Sequence, residues 1–528
     1  MAERAVQQAA EPTEPSCSVL FDRPDDRADL DRSRVPGFFK DLNLDEVIGS
    51  ITAGREEYDL KPFFYAPLRD VDAIHYRQEV LGDLEPKAVG DRIRSFAQKM
   101  RSMRGLLAQE DKLYYKYQKE SWFFDAADTY CEGVSRLFRD LTGVEIRARG
   151  LLAFRRYLAK YVQSHGFRSL VAETAQLKDD LAEVRYSLRI RGDRITVSRY
   201  DSDEDYAAEV EATFQKFKQG AVKDYRVKLP ERPDLNYVGV LGRIALLYPD
   251  VFRSLDDFCA RHRDFLDPTI AAFDREVQFY LAYLEYVERL RSAGLSFCYP
   301  RMSDGSKEIC ARETFDIALA NRLVPQGTPI VTNDFDLKDP ERICVVTGAN
   351  QGGKTTFART FGQLHYLASI GCLVPGTQAQ LFLYDRLFAH FEREERVADL
   401  RGKLQDDLVR IHEILDRATP RSILILNEIF TSTTLRDTLS LSTKVMERIV
   451  ALDLLCVWVT FVDELASMTE TTVSLVSTVL PQDPSVRTLK IVRRPADGRA
   501  YADAIAAKYG LDYERLKERL RRESVPAS

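Results

Sequence analysis

Two short stretches carry the residue types that handle a nucleoside triphosphate. Gly348-Ala349-Asn350-Gln351-Gly352-Gly353-Lys354-Thr355 fits the spacing G-x-x-x-x-G-K-[ST], after the apolar run 343–347 and before a helical pattern starting near Thr355. Glycines in such a loop let backbone N–H groups converge on phosphate oxygens, and a helix N-terminus adds a favourable dipole. Lys354 is expected to reach the β and γ phosphates and the Thr355 hydroxyl to ligate Mg²⁺, with Gly348, Asn350, Gly352, Gly353 and Thr356 completing the cradle. Farther along, the apolar run 422–426 leads into Asn427-Glu428. A carboxylate at the first of these positions would hold the metal's water shell; one at the second would orient or deprotonate the attacking water. Glu428 keeps the second task. Asn427 offers only a neutral amide oxygen, so the pair predicts Mg-ATP binding with hydrolysis weaker than a full Asp-Glu pair would give.

The runs 343–347, 422–426 and 454–459 have buried-strand length and alternate with helical patterns, which predicts an α/β domain with a largely parallel sheet from about Ser303. Upstream the chain reads as helical. Residues 42–55 form one helix, and Lys61-Pro62-Phe63-Phe64-Tyr65-Ala66-Pro67 is expected to break it into an extended segment. Asp70 is a plausible N-cap for the helix that follows. Phe273, Val277, Tyr280, Leu284 and Val287 are spaced as one apolar seam, with Gly294 as a stop. Between helical stretches, residues 185–200 alternate with period two around Gly192-Asp193, the pattern of a β-hairpin. Pairing across that turn puts Tyr186, Leu188, Ile190, Ile195 and Val197 on one face and Arg185, Arg189, Arg191 and Arg194 on the other.

At 528 residues the chain is long enough for several domains, and 45% hydrophobic with 30% charged residues is ordinary for a globular protein. A net charge of −6 gives nucleic-acid binding no general help, so any DNA contact needs local basic patches. The eight cysteines form no CxxC pair, which argues against a disulfide framework or a zinc site. The longest apolar stretch, 452–462, is far short of the ~20 residues of a membrane span. No secretory h-region opens the chain, so residues 1–35 are expected to be a disordered tail and the protein cytoplasmic.

The chemistry-bearing residues then point to a family. The loop 348–355 resembles the G-P-N-M-G-G-K-S loop of MutS ATPases, including the asparagine. Ile370-Gly371-Cys372-Leu373-Val374-Pro375 and Asp385-Arg386-Leu387-Phe388 are similar to two further family segments. Asn427-Glu428-Ile429 stands where the family has Asp-Glu-Ile, followed by Thr433, Thr434, Asp437 and Leu439 in the place of its signature. Upstream, Pro67 to Asp70 and Arg77 to Leu84 resemble the opening of the family's lever. The resemblance implies a multidomain protein. Residues 36–302 would be a helical core or lever with a small β-hairpin clamp near 182–232, and 303–528 an ABC-type P-loop ATPase domain with C-terminal helices. It also implies a homodimer in which Thr433 and Thr434 reach the γ-phosphate of the opposite subunit's ATP, while Ile330 takes the place of the phenylalanine that packs on adenine. The family's Thr-His is Thr460-Phe461 here, and no phenylalanine is followed two positions later by glutamate, so the family's mismatch-reading wedge is not expected.

Two readings of function follow. In the first, the four arginines of the hairpin hold DNA phosphates and the chain is a slow, Mg-ATP-dependent dimeric clamp on double-stranded or branched DNA in repair. In the second, that arginine face is only the solvated side of an amphipathic hairpin, and the chain is a nucleotide-switched scaffold for a protein partner.

Overall fold

The computed structural model describes residues 17–23, 34–191, 194–200, 238–392, 402–496 and 517. Most of the expected tail, the clamp residues after Tyr200 and the C-terminal stretch from 497 (apart from Lys517) lie outside the described residues. The chain divides into two compact units. One takes the described residues up to Glu85, Arg147–Gly150 and the chain from Arg275; the other takes Pro86–Ile146 and Leu151–Asp274.

The first unit is built on a six-stranded sheet. In chain order its strands are β1 (Ile343–Gly348), β2 (Leu387–Phe391), β3 (Ile423–Asn427), β4 (Leu455–Val459), β5 (Thr472–Leu480) and β6 (Asp483–Arg493). They lie in the order β2-β3-β4-β1-β5-β6, all parallel except the β5–β6 pair. Every residue of β3 and β4 is buried, as expected of strands covered on both faces. The helices α1 (Lys354–Ser369), α2 (Lys403–Arg417) and α3 (Leu435–Leu452) alternate with them. The largely parallel α/β sheet expected from the sequence is therefore present. A smaller four-stranded sheet (Arg301–Ser303, Gln378–Phe382, Ile309–Thr314, Asn333–Leu337) belongs to the same unit.

Three expectations need correction here. Residues Lys61–Tyr65 form a short helix rather than an extended segment. Pro62 sits in its first turn, where a missing N–H has no helical partner to lose, and Phe63 and Phe64 are buried by the turn. The helix Pro268–Arg291 buries Phe273, Val277, Tyr280, Leu284 and Val287 as expected, but Phe279, Leu281, Ala282, Tyr283 and Tyr286 are buried too. Its middle, from Glu276 to Leu284, is therefore buried on all sides, while Glu285, Glu288 and Arg289 near its end are exposed. The helix's tyrosines make that burial possible: the hydroxyls of Tyr280, Tyr283 and Tyr286 donate to the carbonyls of Val19 (2.6 Å), Leu373 (2.5 Å) and Ile317 (3.3 Å). Buried phenols need such partners.

A third correction concerns the N-terminal tail. Val19, Leu20 and Phe21 are buried, so residues 17–23 are docked rather than disordered. Glu276 accepts from the Ser18 hydroxyl at 2.7 Å and the Val19 N–H at 2.8 Å. Arg77, fully buried, donates to the Leu20 carbonyl (3.1 Å) and to that of Ile370 (2.9 Å) at the C-terminal end of α1. A short apolar triplet in a polar stretch carries no periodicity, which is why its burial was not legible. Asp70 caps the helix Val71–Leu84, accepting from the Asp72 N–H at 2.9 Å, as expected.

The second unit is helical, with long helices over Lys87–Glu110, Lys116–Thr142 and His165–Ala182 and the hairpin Tyr186–Arg191/Arg194–Arg199. Asp274, almost wholly buried, is paired with Arg104, and the Tyr130 and Tyr161 hydroxyls meet at 2.8 Å. For the docked segment, Phe21→Ala is expected to cost about 3–5 kcal/mol in urea unfolding. A loss below about 0.5 kcal/mol, normal for a surface position, would show that residues 17–23 are not docked.

Candidate functional site

The C-terminal ends of β1 and β3 open onto one cleft of about 430 Å³ in the first unit. Asn350, Gly352, Gly353, Lys354, Thr355, Thr356, Glu428 and Ile330 all line it, so the structure brings eight of the expected residues together. Gly348 ends β1 immediately behind the loop.

Backbone demands explain the glycines. Gly348 and Gly353 sit at φ +100° and +89°, which only glycine adopts freely. Gly352 is required by space: a Cβ there would lie 2.6 Å from Ser477 Oγ and 2.8 Å from the Ala349 carbonyl oxygen. The strand β5 thus presses on the loop through Ser477.

Lys354 is 5% exposed. Its ammonium donates to the carbonyls of Gly348 (2.9 Å) and Ala349 (3.3 Å) and to Asn350 Oδ1 (3.2 Å), and Glu428 Oε1 stands 3.9 Å away. Burial lowers the Lys354 pKa, and the Glu428 charge opposes that shift. A desolvated cation ringed by weak neutral acceptors favours an incoming polyanion.

Glu428 follows β3, adopts φ +52°, and donates its N–H to the Val459 carbonyl at the end of β4 (2.9 Å). Asn427, the last residue of β3, is buried, and its Oδ1 has no hydrogen-bond partner. Phe461, where the family has histidine, is half exposed just past β4. Among the described residues no three or more His, Cys, Asp or Glu side chains converge on a metal-sized point. Of the oxygen donors expected for the metal, Thr355 and Glu428 line the cleft and Asn427 does not.

Thr433 and Thr434 do not line the cleft. Thr434 caps α3, accepting from the Asp437 N–H (3.2 Å), and both threonine hydroxyls donate to the Asp437 carboxylate. The hairpin arginines belong to the helical unit. The register pairs Arg191 with Arg194, Arg189 with Thr196 and Leu188 with Val197. Arg185 and Arg189 are exposed, and so are Leu188 and Ile195 on the apolar side.

Sequence reading missed Leu319, Leu323, Asn333 and Leu489, which complete the cleft wall, and Arg487, whose Nε donates to the Asn350 carbonyl at 3.0 Å. They come from segments far apart in the chain, and no local spacing marks them.

These elements define an α/β domain with a glycine-loop cleft at the carboxyl ends of its parallel strands. Residues 344–515 match the family model for MutS domain V, which ties this part of the chain to the MutS family. It is 35% identical over 150 residues to the DNA mismatch repair protein MutS of Zymomonas mobilis, a stretch covering 28% of this chain and 17% of that protein. With the DNA mismatch repair protein MutS of Chlorobaculum tepidum it is 26% identical over 342 residues, 63% of this chain and 37% of that protein. A third, the DNA mismatch repair protein MutS of Desulfovibrio desulfuricans, is 32% identical over 171 residues, 32% of this chain and 18% of that protein. The matched stretches thus span well under half of these relatives' length.

For the loop, Gly352→Ala is expected to cost about 1–3 kcal/mol in urea unfolding because the new methyl meets backbone and Ser477. Gly305→Ala, with open space around its Cβ, is the control and should change stability by less than about 0.5 kcal/mol.

Proposed function

We propose that this chain is a MutS-type ATPase that clamps double-stranded or branched DNA as a homodimer in DNA repair related to mismatch repair, and that it turns over Mg-ATP slowly. The observation that carries the reading is Lys354: buried, held by three neutral oxygens and facing Glu428 at 3.9 Å across the loop. On binding, the ammonium exchanges those oxygens for β- and γ-phosphate oxygens, and the loop N–H groups add theirs. The Thr355 hydroxyl and the unpartnered Asn427 Oδ1 are suited to Mg²⁺ and its water shell. The ion would offset phosphate charge. Glu428 acts as general base, accepting a proton from the attacking water. Asn427 contributes no charge and Phe461 no imidazole, which supports slow turnover. Leu319, Leu323 and Ile330 form the apolar end of the cleft, where the base would lie. Thr433 and Thr434, at the N-terminus of α3, would meet the partner subunit's nucleotide. Arg185, Arg189, Arg191 and Arg194 would contact DNA phosphates without reading sequence. No helix among the described residues is long and apolar enough to cross a membrane, and we place the protein in the cytoplasm.

The rival reading, a nucleotide-switched scaffold for a protein partner, draws on the half-exposed Phe461 beside an uncharged Asn427. DNA titration separates the two, using homoduplex, mismatch and four-way junction with and without ATP. With four arginines on phosphate, affinity should fall on the order of 10²-fold between about 50 and about 200 mM salt. Absence of salt-dependent binding to any of the three DNAs sinks the clamp. In the same preparation Lys354→Ala should weaken Mg-ATP binding roughly 10- to 100-fold, through the loss of charge-assisted hydrogen bonds. Glu428→Gln should lower turnover by at least ~10²-fold; equality with the parent would remove Glu428 as the base.

A further inference from the structure

The turn that carries Glu428 is conformationally expensive. Glu428 and Phe430 both lie in the left-handed region, at φ +52° and +61°, with Ile429 buried between them. Two non-glycine residues hold that conformation within three positions only where their surroundings over-determine it. One restraint is the Glu428 N–H bond to Val459 already described. The others converge on Phe430, whose side chain is fully buried in the core between sheet and helices. Its carbonyl accepts from the Thr438 hydroxyl of α3 at 2.9 Å. Its N–H donates to Asp407 Oδ2 of α2 at 3.3 Å.

Asp407 is itself fixed. Its other oxygen, Oδ1, lies 3.0 Å from Nε2 of His390, which is completely buried near the end of β2. The carboxylate accepts only, so Nε2 carries the hydrogen. Nδ1 of His390 has no partner, and this leaves the imidazole a single polar contact. Strand register sets His390 beside Leu426, one residue before Asn427. Neither His390 nor Asp407 lines the cleft.

We propose that Asp407, oriented by His390, is the positioning residue that holds the Glu428 turn in register with Lys354 during ATP turnover. The inference rests on Glu428 being the general base. A shift of the turn misplaces the base while leaving the phosphate cradle intact, since Lys354 and the glycine loop are anchored on β1 and β5. Such a residue shows itself as a loss of kcat without a loss of nucleotide affinity.

The test uses the full chain, single-turnover hydrolysis of Mg-ATP and equilibrium titration with a fluorescent ATP analogue. Asp407→Ala should lower turnover ~10-fold or more, as small displacements of a reacting group do, with affinity within about 3-fold of the parent. Asp407→Asn should keep at least about a third of the turnover, because its amide oxygen can still accept from Phe430 while its N–H₂ donates to the other tautomer of His390. Parent-like turnover in Asp407→Ala, beside a clear loss in Glu428→Gln, overturns the positioning role and leaves the base in place. Equal losses of affinity and turnover in Asp407→Ala also overturn it, as the mark of a general packing role. If Glu428→Gln matches the parent, the reading of the base fails and the positioning role falls with it. Should Asp407→Ala not fold, His390→Leu serves: it leaves Phe430 its acceptor but removes the group that orients it. Turnover should then drop ~3-fold or more with affinity retained; unchanged turnover overturns the proposal.

Discussion

A lysine ammonium taken out of water must find compensation, and the loop 348–355 is shaped by that need. The carbonyls of Gly348 and Ala349 and the amide of Asn350 receive Lys354, and they converge only because Gly348 turns the chain at φ +100° where β1 ends. The same ammonium draws Glu428 to 3.9 Å, which ties the end of β3 to the start of α1. Neutral acceptors offset a buried charge only in part, and the lowered Lys354 pKa records the remainder. In the proposed function a triphosphate would relieve it, and the residual cost of holding Lys354 without its ligand becomes part of the ligand's affinity.

Around that point, buried polar groups reach specific oxygens rather than water. Arg77 joins the docked segment 17–23 to the C-terminal end of α1. Three tyrosines let the helix Pro268–Arg291 bury their rings without an orphaned hydroxyl. Gln363, within α1, donates to both the Leu42 carbonyl and Asp316, whose carboxyl burial pushes above the usual range. Each of these bonds spans a long separation in sequence, so each fixes the path of the chain while satisfying a desolvated group.

Much of this unit was legible beforehand because its signals are local. The strands 343–348, 423–427 and 455–459 announce themselves as short apolar runs, and the parallel sheet follows from the helices between them. In the helical unit, the hairpin register was readable from strict alternation around Gly192-Asp193. Failures came where the signal is not periodic. Val19, Leu20 and Phe21 make too short a run to mark burial, and Pro62 reads as a breaker although it opens a helical turn.

The sequence by itself determined the chemical inventory: a lysine, a hydroxyl and a carboxylate at spacings that suit Mg-ATP, with Asn427 and Phe461 where charge and imidazole are expected. Those are properties of residue type and order. Tertiary structure alone decided that Ser477 and Arg487 touch the loop, and that Leu319, Leu323, Asn333 and Leu489 close the cleft. It also decided that His390 and Asp407 stand behind the Glu428 turn. These contacts join residues from separate strands and helices, and chain packing rather than spacing determines which of them meet.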